Sequence, residues 1–199
     1  MRLRASNAQR SNGCHCDIIL GTMRGSQVPT PLLRSRSALP KVLVLKALMV
    51  QVNRLRQEKQ KIVFTNGCFD LLHPGHIQHF DRARQMGDAL IVGVNSDHSV
   101  RRLKGPLRPI MNQDERVLLL SALDNIDFIT VFDEDTPHRL ISSLLPDVLV
   151  KGGDWQLGEI VGREEVEVAG GSAISLPYNE GQSTTAIVDR ILRRYGHQF

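Results

Sequence analysis

Three cysteines, Cys14, Cys16 and Cys68, are too few for a disulfide framework and fit a reducing compartment. Cys14-His15-Cys16 has metal-binding chemistry but no second ligand pair at zinc spacing, which leaves it a chance cluster. No apolar run approaches the roughly 20 residues that a bilayer span needs, and Ile18-Ile19-Leu20 is too brief for a signal-peptide core. Acidic side chains are nearly missing from the start: residues 1–60 hold 11 Lys and Arg against 2 Asp and Glu, and the remainder 14 against 19. The net charge of +4 therefore belongs to the leading segment. The rest is mildly acidic, which argues against a nucleic-acid face. Internal repeats are absent, and no acidic cluster makes a dedicated metal cage.

What is present is ordinary for a globular protein, with 41% hydrophobic and 23% charged residues in 199, enough for one domain and an appendage. Residues 1–38 are rich in Arg, Ser and Asn without sustained periodicity, and are expected to be a disordered basic leader. Their composition is that of an organellar transit peptide, a mis-assigned start or a flexible tail. Over residues 39–59, Val42, Leu43, Leu45, Leu48, Met49, Val52 and Leu55 trace one broad helical face. This amphipathic helix is expected to pack on the domain at residues 60–195, and its apolar face also offers a surface for a homodimer. Aromatic anchors for a membrane surface are lacking.

From Lys61 onward strand and helix alternate. Strands are expected at 61–65, 89–95, 128–132, 148–151 and 173–176. Helices are expected at 77–86, from the cap Asn112 to Ala122, from the pair Thr136-Pro137 to about Leu145, at 163–168, and from Ser183 to Arg194. The stretch after Asp97, carrying Arg101, Arg102, Lys104, Gly105, Arg108 and Pro109, reads as a loop. Alternation of this kind predicts an α/β fold, a Rossmann-like doubly wound parallel sheet of about five strands with helices on both faces.

The chain is organised around Asn66-Gly67-Cys68-Phe69-Asp70-Leu71-Leu72-His73-Pro74-Gly75-His76, a strand-to-helix turn. Pro74 suits a first helical turn, where its missing N–H costs nothing. His73 and His76 are three residues apart on one side of that turn, and Gly75 lets a phosphate approach the backbone. Other strand-end loops on the same sheet edge carry Lys104, then Lys151 with Asp154 and Trp155, then Ser183, Thr184 and Thr185 at a helix start. Arg116 follows the Lys104 loop and is expected to reach the same place. Phosphoryl-type transfer needs such positioned donors and no protein nucleophile, so Cys68 reads as a small packing residue. Asp70 reads as structural, bonding turn N–H groups.

His73-Pro74-Gly75-His76 matches the His-x-Gly-His signature of the nucleotidyltransferase superfamily, and Asn66 to Asp70 resembles its sugar- and polyol-phosphate branch. From Lys61 to Ile191 the chain resembles the bacterial heptose-1-phosphate adenylyltransferases. The resemblance rests on Asn66 to His76, Val94 to Asp97, Leu103-Lys104-Gly105, Asp135-Thr136-Pro137, Leu149 to Trp155 and Glu180 to Thr185. It implies transfer of AMP from ATP to D-glycero-β-D-manno-heptose 1-phosphate, giving ADP-heptose for lipopolysaccharide core, in the cytoplasm. Mg²⁺ would be held mainly by the nucleotide phosphates, with no protein metal ligands, and neither nucleic acid nor membrane is an expected partner. His73, His76 and Lys104 would be catalytic. Asn66, Gly67, Cys68, Phe69, Gly75, Arg116, Ser183, Thr184 and Thr185 would bind nucleotide. Lys151, Asp154 and Trp155 would bind the sugar phosphate, with the nucleotide an alternative for Lys151.

Phe69 flanks the nucleotide or packs in the core, Trp155 stacks on a ligand or packs, and Asp154 bonds a hydroxyl or caps its turn. Some members carry a fused sugar kinase, for which this chain has no room, so a stand-alone form is expected. Tyr178 occupies the position where cytidylyltransferase relatives have an arginine, which weakens the reading of a CTP enzyme acting on a polyol phosphate such as glycerol 3-phosphate. A non-catalytic nucleotide-binding relative is the other alternative.

Overall fold

The computed structural model of the protein describes residues 41–153, 156–177 and 183–196. The chain divides into two units, 1–38 and 39–199. The leader lies outside the described residues, as do Asp154, Trp155 and Tyr178. Among the described residues of the second unit, five strands alternate with helices: β1 Ile62–Gly67, β2 Ala89–Asn95, β3 Phe128–Phe132, β4 Val148–Gly152 and β5 Ser172–Leu176. They form one parallel sheet in the order β3-β2-β1-β4-β5. β1 to β3 run outward in one direction and β4 and β5 in the other, so the order reverses beside β1. At such a switch point the strand-end loops part and leave a crevice.

Among the described residues the α-helices are α1 Leu45–Gln57, α2 Pro74–Arg84, α3 Asp97–Lys104, α4 Gln113–Ser121, α5 His138–Leu144, α6 Arg163–Val168 and α7 Thr184–Tyr195. Alternate strand residues feed two cores, because successive side chains point to opposite faces. Ile62, Phe64, Ile91 and Leu149 pack with Leu48 and Val52 of α1, Leu140, Ile141 and Leu144 of α5 and Val166 of α6. Val63, Leu90, Val92 and Val150 pack with Phe80 and Ala83 of α2 and Leu120 of α4. The doubly wound α/β arrangement follows from these two apolar sets.

α1 begins later than its apolar pattern suggests. Ahead of it, Val42 bridges Ile129 in parallel, with the Leu43 N–H on the Ile129 carbonyl and the Ile129 N–H on the Lys41 carbonyl. Residues 41–43 thus cover the open edge of β3, which would otherwise present unpaired backbone groups. Leu48 and Val52 are fully buried, each contributing roughly 1.5–3 kcal/mol. The side of α1 considered for a homodimer is therefore already occupied by its own domain.

Two expectations need correction. The stretch after Asp97 is helical as far as Lys104, and only Gly105 to Pro109 forms the expected loop: Ser96 caps α3 by accepting the Ser99 N–H, and only Ser99 and Val100 are buried. Thr136 does not cap α5, because Pro137 holds the cap position without a side-chain bond. α4 is capped by the predicted Asn112, which exchanges bonds with Glu115 in a capping box.

Candidate active site

A cleft of about 790 Å³ opens at the carboxyl ends of the strands. Its floor is the turn from β1 into α2. β1 ends in Asn66 and Gly67, and a Cβ on Gly67 would lie 3.0 Å from the Phe69 ring. The absent side chain lets that ring fold back over the turn. Phe69 itself has φ 47°, and it is held edge-on to His76 at 5.3 Å and against Phe80 at 5.1 Å. Phe69 is thus both cleft wall and core residue.

His73 stands at the α2 N-cap in extended conformation, with Pro74 following in the first turn. This geometry stacks the His73 and His76 rings at 3.8 Å and 25°. Both are buried, and neither Nδ1 finds a partner among the described residues. Burial pushes the His73 pKa down. Burial, with the charges that His73 and His79 would carry, holds His76 down to about 3. The pair is neutral at neutral pH, and each unpartnered nitrogen costs free energy that a bound ligand group would recover.

Cations border this floor on both flanks. On the β2 side, Lys104 at the end of α3 and Arg108 in the following loop line the cleft. On the β4 side, Lys151 donates to Asn66 Oδ1 at 3.2 Å. Burial lowers its pKa, partly offset by Cys68. Ser183 and Thr184 line the cleft at the start of α7, where Ser183 accepts the Ala186 N–H. Thr185 is exposed and is not a lining residue, and Gly75 borders a small neighbouring pocket instead. Cys68 lines the cleft, its thiol pushed up by burial against the opposing pull of Lys104 and Arg116, which makes it a poor nucleophile.

Arg116 is not brought to the cleft. Its side chain is fully buried, donating to the Cys68 and Asn95 carbonyls and to Asp97 Oδ1 at 2.8 Å. It ties together the loops that carry the site. Asp70 is also structural, but its Oδ1 accepts the N–H groups of Ile110 and Met111, from a distant loop rather than its own turn.

Residues to which the sequence reading assigned no site role complete the walls. His79, one turn beyond His76, bonds Thr65 Oγ1 at 2.8 Å and lines the cleft. Its spacing of three from His76 was the available signal. Asp135, Thr136 and Pro137 close the β3 side, with Asp135 paired to Arg102, and Glu159 and Val161 close the far side. Among the described residues no group of three His, Cys, Asp or Glu is placed to hold a metal ion. No described helix is long and apolar enough to cross a membrane.

Residues 64–190 match the family model described as cytidylyltransferase-like. The chain is 52% identical over 143 residues to the bifunctional protein HldE of Geobacter sulfurreducens, covering 72% of this chain and 29% of that protein. It is 54% identical over 139 residues to HldE of Geobacter metallireducens, covering 70% and 28%. The chain therefore spans about three-tenths of the length of these relatives. Among solved structures it is similar to a lipopolysaccharide core biosynthesis protein from Thermoplasma volcanium, with 27% identity, TM-score 0.50, and 60% of this chain and 97% of that one covered. It also shares the fold of pantoate-β-alanine ligase from Francisella tularensis, with 17% identity, TM-score 0.50, and 74% and 69% covered.

Proposed function

The chain belongs to the cytidylyltransferase-like family, and from that premise we propose that it transfers AMP from ATP to D-glycero-β-D-manno-heptose 1-phosphate. ADP-heptose and pyrophosphate are the products. The observation that carries this reading is the buried imidazole pair of His73 and His76, with both Nδ1 atoms unpartnered, opening onto a cleft flanked by Lys104 and Lys151. The HldE relatives and the lipopolysaccharide core protein support the sugar-phosphate substrate.

In the proposed reaction a phosphate oxygen of the sugar phosphate attacks the α-phosphorus in line. A new P–O bond forms, the bond to the bridging oxygen of the β-phosphate breaks, and pyrophosphate leaves with that electron pair. His73 and His76 donate N–H groups to the oxygens that gain charge, and Lys104 adds a mobile positive charge. Asn66, Gly67, Cys68 and Phe69 shape the nucleotide floor, and Ser183 and Thr184 meet the phosphates at a helix N-terminus. Lys151 sits on the same flank as Ser183, which favours the nucleotide as its partner.

Mg²⁺, carried in on the nucleotide, would neutralise phosphate charge. A cytoplasmic location goes with ATP as donor. The test is pyrophosphate release across a panel of ATP, CTP, GTP and UTP with heptose 1-phosphate or glycerol 3-phosphate. Turnover confined to ATP with the heptose phosphate is expected; turnover confined to CTP overturns the reading.

A further inference from the structure

We propose that Arg108 is a phosphate-binding residue of this cleft, oriented by Asp70 so that its two terminal nitrogens face the phosphate of the second substrate. Arg108 lies in the loop after α3, and Asp70 in the turn after β1. Asp70 is 3% exposed, and its Oδ2 forms an ion pair with Arg108 Nε at 3.0 Å that lacks hydrogen-bond alignment. Its other oxygen is taken by the Ile110 and Met111 N–H groups, at 2.7 and 3.0 Å. The loop is thus anchored through its backbone, and holding it does not require the guanidinium.

Arg108 has no partner for its terminal nitrogens among the described residues, its side chain is 23% exposed, and it lines the cleft. An arginine drawn to the cleft edge by the Asp70 charge presents those nitrogens as a planar fork, a shape that matches two phosphate oxygens at once. Ordering the side chain beforehand also lowers the entropy lost on binding.

The strand order decides which phosphate. β2 and β4 flank β1 on opposite sides, so Lys104 and Arg108 face Lys151, Ser183 and Thr184 across the His73–His76 floor. In-line displacement puts attacker and leaving group on opposite sides of the phosphorus. On the reading that α7 and Lys151 hold the nucleotide's outer phosphates, the Arg108 flank receives the attacking phosphomonoester. This assignment rests on the proposed function, whereas phosphate binding by Arg108 does not.

The test compares wild type with Arg108→Gln, which removes the charge and keeps a polar side chain, and with Arg108→Lys. With both substrates varied, Arg108→Gln should raise KM for the sugar 1-phosphate roughly 10- to 100-fold, leave KM for ATP near its wild-type value and keep the unfolding midpoint. Arg108→Lys should recover part of the loss, since it restores charge without the fork. Asp70→Asn should shift the same KM, and adding it to Arg108→Gln should shift it little further. An unchanged KM for the sugar phosphate, or a rise confined to ATP, overturns the proposal. If wild type turns over no sugar phosphate, the functional reading fails by itself. Titration with inorganic phosphate then decides: weaker binding to Arg108→Gln than to wild type supports the role, and equal binding overturns it.

Discussion

Arg116 meets Asp97 at 2.8 Å with none of its own side chain exposed, and its remaining bonds go to the carbonyls of Cys68 and Asn95. One guanidinium thereby fastens the turn after β1, the end of β2 and the start of α3. A charge this deep is tolerable because its terminal nitrogens meet three acceptors, although Nε finds no partner among the described residues.

Replacing Arg116 should consequently be a stability change. Arg116→Leu leaves two buried carbonyls and a carboxylate without their donor. The expected loss is about 3 kcal/mol, with an unfolding midpoint lower by roughly 10 °C. Arg116→Lys should recover only part, because an ammonium cannot reach three acceptors in a fixed plane. Thermal unfolding of both variants checks this. A variant with normal stability and a raised KM for ATP would instead return Arg116 to the binding site.

The buried histidines predict an acid-sensitive fold. His76 is held down to about 3 and His79 to about 4, the latter by burial and then by the Lys151 and Arg82 charges. In the unfolded chain each protonates near its ordinary pKa of about 6.5. Between that pH and the folded values the unfolded state binds more protons, so stability falls as pH drops. At about pH 5 the loss is about 2 kcal/mol for each ring, and above about pH 7.5 it vanishes. Urea unfolding at the two pH values measures the difference, and His79→Asn should flatten the dependence.

How far the sequence revealed this molecule depends on what each residue's partners are. Phe128 to Phe132 was legible because a run of apolar, β-branched residues reports burial directly. α3 was not, since it buries only Ser99 and Val100 and its last turn is basic; only the Ser96-Asp97 start marked it. Arg116 was misread because its partners are mostly backbone carbonyls, which leave no trace in a sequence. His73, His76, Lys104, Lys151, Ser183 and Thr184 do border one cleft, because loops that leave one sheet edge must converge. His79, Arg108 and Asp135 join them through side-chain directions that only the fold shows.

α1 belongs to the core although it precedes the matched family region. Leu48→Ala should cost about 2–5 kcal/mol, whereas Val50→Ala, on the exposed side, should stay within about 0.5 kcal/mol. Denaturant unfolding of the two variants separates them. A chain beginning at Ala38 keeps Lys41 and Leu43, which pair with Ile129, and should retain full activity. Loss of activity on that truncation would assign residues 1–37 a role in the fold or the site.

The imidazole pair gives the sharpest test of the chemistry. His76 is neutral and buried, stacked on His73 and braced by Phe69, so it is pre-set rather than recruited on binding. Such a donor acts where charge grows in the transition state, and removing one costs roughly 3–4 kcal/mol of barrier, or about 10²–10³ in rate. His76→Ala should therefore lower kcat by that factor in a pyrophosphate-release assay, with KM for ATP changed much less. His76→Asn, which restores an N–H donor of smaller reach, should lie between. The fold should survive both, because Phe80 and Ala83 keep α2 on the sheet. Near-normal turnover by His76→Ala would mean that the stack serves packing alone and that the charge is stabilised elsewhere.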